Sequence, residues 1–391
     1  MSKVNSGTIP QLTSLRFFAA FAILLLHFRD YLAPAPESVR LVVIGGYVGV
    51  TFFFVLSGFI LTYNYESLFA EGIRLRDFWR FQKFRFARIY PTYLLALCLD
   101  TPVLLLLRRA PMDDAGHYPW DYGVSWIVNA IGVQSWIPVF PYVLFWNIPS
   151  WSISTEFFFY LCFPFICGFM ARTIKDLTHA IALSVFVVAL TIGVSMWVVN
   201  EIYIVNAIGF PPDYAVQNYL PPLRIPEFIV GCIAGRIFIE SQSRSLKYSF
   251  FNTEKQRNLT LIILISLVFW RSTAHQYDGP EKILWMLDQG SLLIEFAIPF
   301  AGIILAIASG KTVLSKLLAW PWLILLGESS YALYIMHYAG VAIRETMFGS
   351  DKRAVLSIIF MLVSVAYSVA IFLFFEQPVR KKLRSLKFFR E

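Results

Sequence analysis

"LRFFAAFAILLLHF", residues Leu15–Phe28, has 12 apolar positions out of 14, yet it carries Arg16 one residue from its start and His27 one residue from its end. The apolar positions read as a helix dissolved in lipid, and the two exceptions ask for a reason. The rest of the chain has the same character: of 391 residues, 58% are hydrophobic and 15% charged, with a mean hydropathy of +0.63. That balance excludes a soluble globular core. Runs of the roughly 20 apolar residues that cross a bilayer begin near Leu12, Val42, Ile89, Ser152, Ala180, Leu223, Leu259, Ser291, Ser329 and Ala354. The sequence therefore predicts an all-α, polytopic integral membrane protein with about ten transmembrane helices.

Orientation follows from the distribution of lysine and arginine between the spans. With the N-terminus inside, 21 of the 33 basic residues fall on the cytoplasmic side, chiefly between Arg74 and Arg88 and between Arg380 and Arg390. Both termini are thus expected in the cytoplasm, as an even number of spans requires, and the protein in the plasma (inner) membrane. An inner-face excess drawn to anionic lipid accounts for the formal charge of +8, so membrane lipid and no nucleic acid is the expected partner.

The first apolar run lacks a small-residue cleavage site and is expected to stay as helix 1. Residues 1–378 read as one transmembrane domain and 379–391 as a basic cytoplasmic tail lying on the inner leaflet. Two proline-rich stretches, Arg108–Trp151 and Asn200–Pro222, read as irregular outer loops. Cys98, Cys162, Cys167 and Cys232 stand in apolar runs without metal-type spacing and are expected to be buried and inert. Without paired metal ligands, no metal is inferred.

An ionisable residue at bilayer depth is costly and marks a functional hypothesis. Arg16 and His27 are 11 positions apart, three helical turns plus about 20°, with a rise of roughly 16 Å, so both occupy one face of helix 1. Taken singly, Arg16 could snorkel to headgroups and His27 could bond a neighbouring helix. Sharing a face, they favour a ligand with an anionic end and a reactive tip. In "RLRDFWRFQKFRFARIYP", Arg74–Pro91, most cations suit an inner loop. Arg85 and Arg88, at i and i+3 just before helix 3, would repel one another unless an anion such as phosphate lay between them. In "NIPSWSISTEFFFY", Asn147–Tyr160, Glu156 shares a helix face with Ser152 near the outer surface. It either complements the helix dipole or polarises an arriving hydroxyl. Trp120, Trp126, Trp136, Trp146 and Trp151 crowd the preceding loop, as an interfacial belt or as flat faces for sugar rings. Glu295 and His337 are further intramembrane candidates for the acceptor path, ahead of His117, His179 and His275, which fall in loops or at a boundary.

These residues resemble the membrane-bound acyltransferase family 3. Arg16 and His27 reproduce the family's helix 1 pair. "GVTFFFVLSGFIL" (Gly49–Leu61) looks like its helix 2 signature, and Arg85, Arg88, Ile89, Tyr90 and Pro91 match its arginine motif. "WSISTEFFFY" (Trp151–Tyr160), "RIPEFIVGCIAG" (Arg224–Gly235), "GESSYALYIMH" (Gly327–His337) and "FEQPVRKKLR" (Phe375–Arg384) are similar to later segments, in the family's order. There are departures: Thr13 and Ser14 stand where members often have Asp-Gly, and Phe157 follows Glu156 where many have a second glutamate. The second departure is nearer the polysaccharide branch. Some members carry an extracytoplasmic hydrolase-like domain, which is not expected here, so transfer would finish in the membrane domain or on a separate protein.

The resemblance implies an O-acyltransferase, most often an O-acetyltransferase, using acetyl-CoA or another acyl-CoA as co-substrate. The acceptor would be a hydroxyl of an exported or cell-envelope saccharide such as exopolysaccharide, with polysaccharide biosynthesis and export machinery as partners. On that reading Arg85, Arg88 and Arg16 hold the donor phosphates and His27, with Arg16 and Glu156, serves catalysis. Trp151, Ser152, Glu156, Glu295 and His337 would receive the acceptor. A transporter or flippase would instead use Arg16, His27, Glu156 and Glu295 as a pathway and would favour symmetric broken helices, of which the sequence shows none. A noncatalytic export subunit would tolerate loss of His27 chemically.

Overall fold

The computed structural model describes residues 7–32, 36–107, 122–137, 140–203, 218–242, 253–273, 294–349 and 353–386. His117, Trp120 and His275, most of the Asn200–Pro222 loop, the start of the run predicted from Ser291, and the tail beyond Leu386 lie outside the described residues. The described elements are helical, with no strand among them, and the long ones in chain order are α1 (Pro10–His27), α2 (Val48–Phe69), α3 (Leu75–Leu107), α4 (Trp151–Thr173), α5 (Leu177–Tyr203), α6 (Pro221–Gln242), α7 (Glu254–Thr273), α8 (Ala297–Ala308), α9 (Ser330–Phe348) and α10 (Ala354–Ile371).

Among the described residues, six stretches are long and apolar enough to cross a membrane: Pro10–His27, Glu37–Phe69, Leu75–Leu106, Ile148–Thr173, Leu177–Val198 and Ala354–Ser385. The others are shorter or more polar. Helix α8 has 12 residues, whereas α6, α7 and α9 carry charges such as Arg224, Glu227, Arg236, Arg257, Arg271 and Arg344. Exposure runs opposite to that of a soluble protein. Phe186, Leu190 and Trp197 of α5, Ile262 and Trp270 of α7, and Leu362 of α10 face outward, while Arg224, Glu227, His337 and Arg344 are at most 2% exposed. Apolar surface outside and polar groups inside is the distribution a lipid solvent imposes. This is an all-α membrane protein.

Helices α2 and α6 cross at glycines. A Cβ on Gly231 would fall 2.0 Å from the Val55 carbonyl oxygen, and one on Gly58 would fall 2.1 Å from that of Phe228. Gly231 and Gly235 form a small-xxx-small face, which lets backbones meet where lipid supplies no hydrophobic drive. Around the crossing, Phe159 meets Phe54 and Phe228 at centroid distances of 4.9 Å each, and Phe81 stacks on Phe163 at 5.2 Å. Helix α1 lies centrally, against α2, α9 and the short helix Pro321–Glu328; Gly327 allows that last contact, because a Cβ there would sit 2.1 Å from the Thr13 carbonyl oxygen.

Helix 3 differs from expectation. Arg85 and Arg88 do not stand just before it; they sit inside α3, which starts at Leu75 and runs unbroken through Pro91 and Pro102. The physical reason is spacing: Phe78, Phe81, Arg85 and Arg88 recur at helical intervals, Phe81 is buried against Tyr65, Phe69 and Phe163, and Arg85 packs on Tyr160. The cysteines differ too. Cys167 and Cys232 are buried, but Cys98 is exposed on the outer face of α3. An apolar run in a membrane does not say which of its sides faces protein.

Candidate active site

A cavity of about 330 Å³ opens between α1, α2, α3, α4, α9 and the turn that follows α10. Its walls bring together Arg16 from α1, Arg85 and Arg88 from α3, and Ser152 and Glu156 from α4, five of the residues singled out in the sequence. The final helix, Gln377–Ser385, adds Arg380 and Arg384, and the preceding π-helical turn, Phe372–Glu376, adds Phe372 and Glu376. Such wide turns often mark functional positions in helices. The five arginines exceed the three carboxylates, Glu156, Glu328 and Glu376, so the cavity favours an anion.

How each arginine is held matters more than the number. Arg85 donates from Nη2 to the Tyr160 hydroxyl at 2.8 Å, and its guanidinium lies 4.5 Å from that ring's centroid. Its Nε is buried without a hydrogen-bond partner. Among the described residues, neither Arg16 nor Arg88 has a protein group at ion-pair or hydrogen-bond distance. Glu156 accepts from Ser57 Oγ at 3.0 Å. Tyr334 also lines the cavity; its hydroxyl donates to the Pro149 carbonyl at 3.0 Å and lies 2.8 Å from Ser152 Oγ. Nearer the arginines, Tyr331 donates to the Ile89 carbonyl at 2.9 Å, two residues before Pro91.

His27 and His337 stand together and do not line the cavity. His337 lies one turn past Tyr334 on α9. Its Nε2 is 2.9 Å from His27 Nδ1, and the two rings are 4.8 Å apart between centroids. Arg16 and His27 do share one side of α1, but only the arginine stands in the cavity wall.

Two expected acceptor contacts are engaged elsewhere. Trp151 is buried, with its ring against Phe54 and Tyr219 and 5.1 Å from the Arg224 guanidinium, so it offers no face to a sugar. Arg224 pairs with Glu227 at 2.8 Å, and Thr51 donates to the same carboxylate at 2.7 Å. Glu295 is not in the cavity wall; it pairs with Arg271 at 3.0 Å. The sequence reading missed Tyr160, Tyr334 and Glu376. All three lie within the motif segments quoted above, so the signal was present, but each was read as part of an apolar or basic run. Among the described residues no group of three His, Cys, Asp or Glu side chains could hold a metal ion. The groups that could hold a ligand are the guanidinium groups, and the ligand they suit is an anion, carboxylate or phosphate.

Comparison with known proteins places the chain in a family. The profile of acyltransferase family 3, described as an acyltransferase domain, matches residues 9–376. The acyltransferase MdmB of Streptomyces mycarofaciens is 26% identical over 351 residues, covering 88% of this chain and 81% of that protein. The O-acetyltransferase OatA of Staphylococcus aureus is 23% identical over 389 residues, covering 96% of this chain, which spans 57% of OatA's length. No solved structure matches. The profile match over nearly the whole length, with these relatives, makes this chain an acyltransferase and a member of acyltransferase family 3.

Proposed function

We propose that this protein is an integral membrane O-acyltransferase. It moves an acyl group, acetyl before others, from cytoplasmic acyl-CoA to a hydroxyl of an exported or cell-envelope saccharide. The observation that carries the reading is the cavity wall in which, among the described residues, Arg16 and Arg88 have no carboxylate at ion-pair distance and Arg85 is braced on Tyr160. Five guanidinium groups against three carboxylates on one wall leave positive charge that a ligand anion would neutralise, and the donor's phosphates supply that charge. The name of the OatA relative favours acetyl. The cation distribution favours about ten spans with both termini cytoplasmic, which would open the arginine end of the cavity to the cytoplasm. The export machinery would then be met on the outer side.

In this mechanism Arg85, Arg88 and Arg16 fix the donor's phosphates, and the acyl thioester is presented about 16 Å further along α1, the helical rise from Arg16 to His27. His27 takes the proton from the acceptor hydroxyl as that oxygen bonds to the acyl carbonyl carbon. The carbon–sulfur bond breaks, and the imidazolium returns the proton to the departing sulfur. Glu156, on the cavity wall, steers the arginines and the acceptor path.

Acetyl-CoA binding and slow CoA release by the purified protein in lipid nanodiscs test the assignment. His27→Ala should lower CoA release by about 10² to 10⁴-fold while leaving binding close to wild type. Arg85→Ala/Arg88→Ala should weaken binding at least tenfold. No binding by wild type in several lipid compositions would turn the reading toward a transporter, and full activity in His27→Ala would remove the histidine from the mechanism.

A further inference from the structure

Both histidines face carbonyl oxygens with the same ring nitrogen. His337 Nδ1 lies 2.8 Å from the Tyr334 carbonyl and 3.2 Å from that of Leu333. Carbonyl oxygens only accept, so His337 carries its proton on Nδ1, and in the neutral ring Nε2 is left as a lone pair. That lone pair lies 2.9 Å from His27 Nδ1, which in turn lies 3.0 Å from the Ile23 carbonyl. Every group around His27 Nδ1 therefore accepts, and this nitrogen must hold the hydrogen. The remaining nitrogen, His27 Nε2, is bare and can take a proton.

We propose that His337 is a positioning residue that fixes His27 in the Nδ1–H tautomer and supports the imidazolium formed during acyl transfer. The inference rests on the reading of His27 as the base. Which ring nitrogen reacts is set by the bond that the other one makes. Here the orienting partner is a second neutral imidazole, in the place a carboxylate takes in a Ser–His–Asp triad. When His27 Nε2 accepts the hydroxyl proton, the ring becomes cationic and its Nδ1–H bond to His337 becomes charge-assisted, hence stronger. The gain comes in the transition state, so His337 acts on kcat and not on donor KM. A packing role would depend on the ring's shape, whereas this role depends on an acceptor at Nε2 and a donor at Nδ1.

Two substitutions oppose those requirements. His337→Phe keeps an aromatic ring and loses both polar atoms; His337→Gln loses the ring and keeps an amide that can donate to the Tyr334 carbonyl and accept from His27. The protein in nanodiscs is assayed for CoA release from acetyl-CoA, acetyl-CoA affinity and thermal melting, beside His27→Ala. The expected result is kcat about 10- to 100-fold lower in His337→Phe, with donor KM and melting temperature unchanged, and recovery of most of that loss in His337→Gln. Wild-type kcat in His337→Phe beside an inactive His27→Ala overturns the positioning role and leaves His27 as the base. Equal losses in both His337 variants, with lowered melting temperatures, overturn it in favour of packing. Full activity in His27→Ala overturns both readings together.

Discussion

Arg224 and Arg88 are both arginines well inside the helix bundle, and they are treated in opposite ways. Arg224 is enclosed: Nε and Nη2 donate to Glu227 at 2.8 and 3.0 Å, Nη1 donates to the Asn218 carbonyl at 2.7 Å, and the rings of Phe54 and Trp151 lie 5.1 Å away on α2 and α4. Arg88 shares a cavity wall with Arg16 and Arg85 and has no protein carboxylate at ion-pair distance. A buried cation whose donors are all used ties helices together. One left among like charges can be neutralised by an anion that arrives. On the proposed function, the two sites separate fold from function within a single residue type.

The largest effect expected from this contrast is on stability. Arg224→Ala strands the Glu227 carboxylate in the bundle, and Glu227→Ala strands the guanidinium. Each should cost about 3–5 kcal/mol, read as a clear fall in melting temperature and folded yield, while Arg224→Met/Glu227→Leu should melt higher than either single variant. If the singles melted with wild type, Arg224 would not be structural and the contrast would break. Next in size is Arg88→Ala. It removes a charge that repels Arg16 and Arg85, so the melting temperature should not fall, although acetyl-CoA affinity should drop about tenfold or more. A loss of stability like that of Arg224→Ala would make Arg88 a second structural cation.

How much of this could be read from the sequence differs between the two sites in the same physical way. Apolar length and cation placement announced a helical membrane protein, and the motif spacing announced Arg16, Arg85, Arg88 and Glu156, which the fold gathers on one cavity. The partners were not legible. His27 and His337 are 310 residues apart, and nothing in either neighbourhood says that the two rings meet. Arg224 and Glu227 stood in a quoted motif, but their service to α2 through Thr51 depends on the glycine crossing of α2 and α6. Helix α3 was misjudged at its start because a run of cations reads as a loop when the facing aromatics, Tyr65, Phe163 and Tyr160, are not known to be there. Sequence patterns carry periodicity and charge; they do not carry which faces touch.

Glu295 gives the smallest effect and the finest test of that distinction. From sequence it shared the status of Glu156, a carboxylate in an apolar run. In the fold, Glu156 reaches the arginine cavity, while Glu295 sits on the turn before α8 and pairs with Arg271 at 3.0 Å. An ion pair at a partly exposed position contributes about 1 kcal/mol or less. Glu295→Gln should therefore leave CoA release and acetyl-CoA affinity within about twofold of wild type and shift melting only slightly. Glu156→Gln, on the cavity wall, should change turnover more than melting. If the two variants behaved alike, cavity membership would not be what sorts the intramembrane carboxylates. A turnover loss confined to Glu295→Gln would instead mean that the acceptor approaches along α7 and α8, outside the arginine cavity.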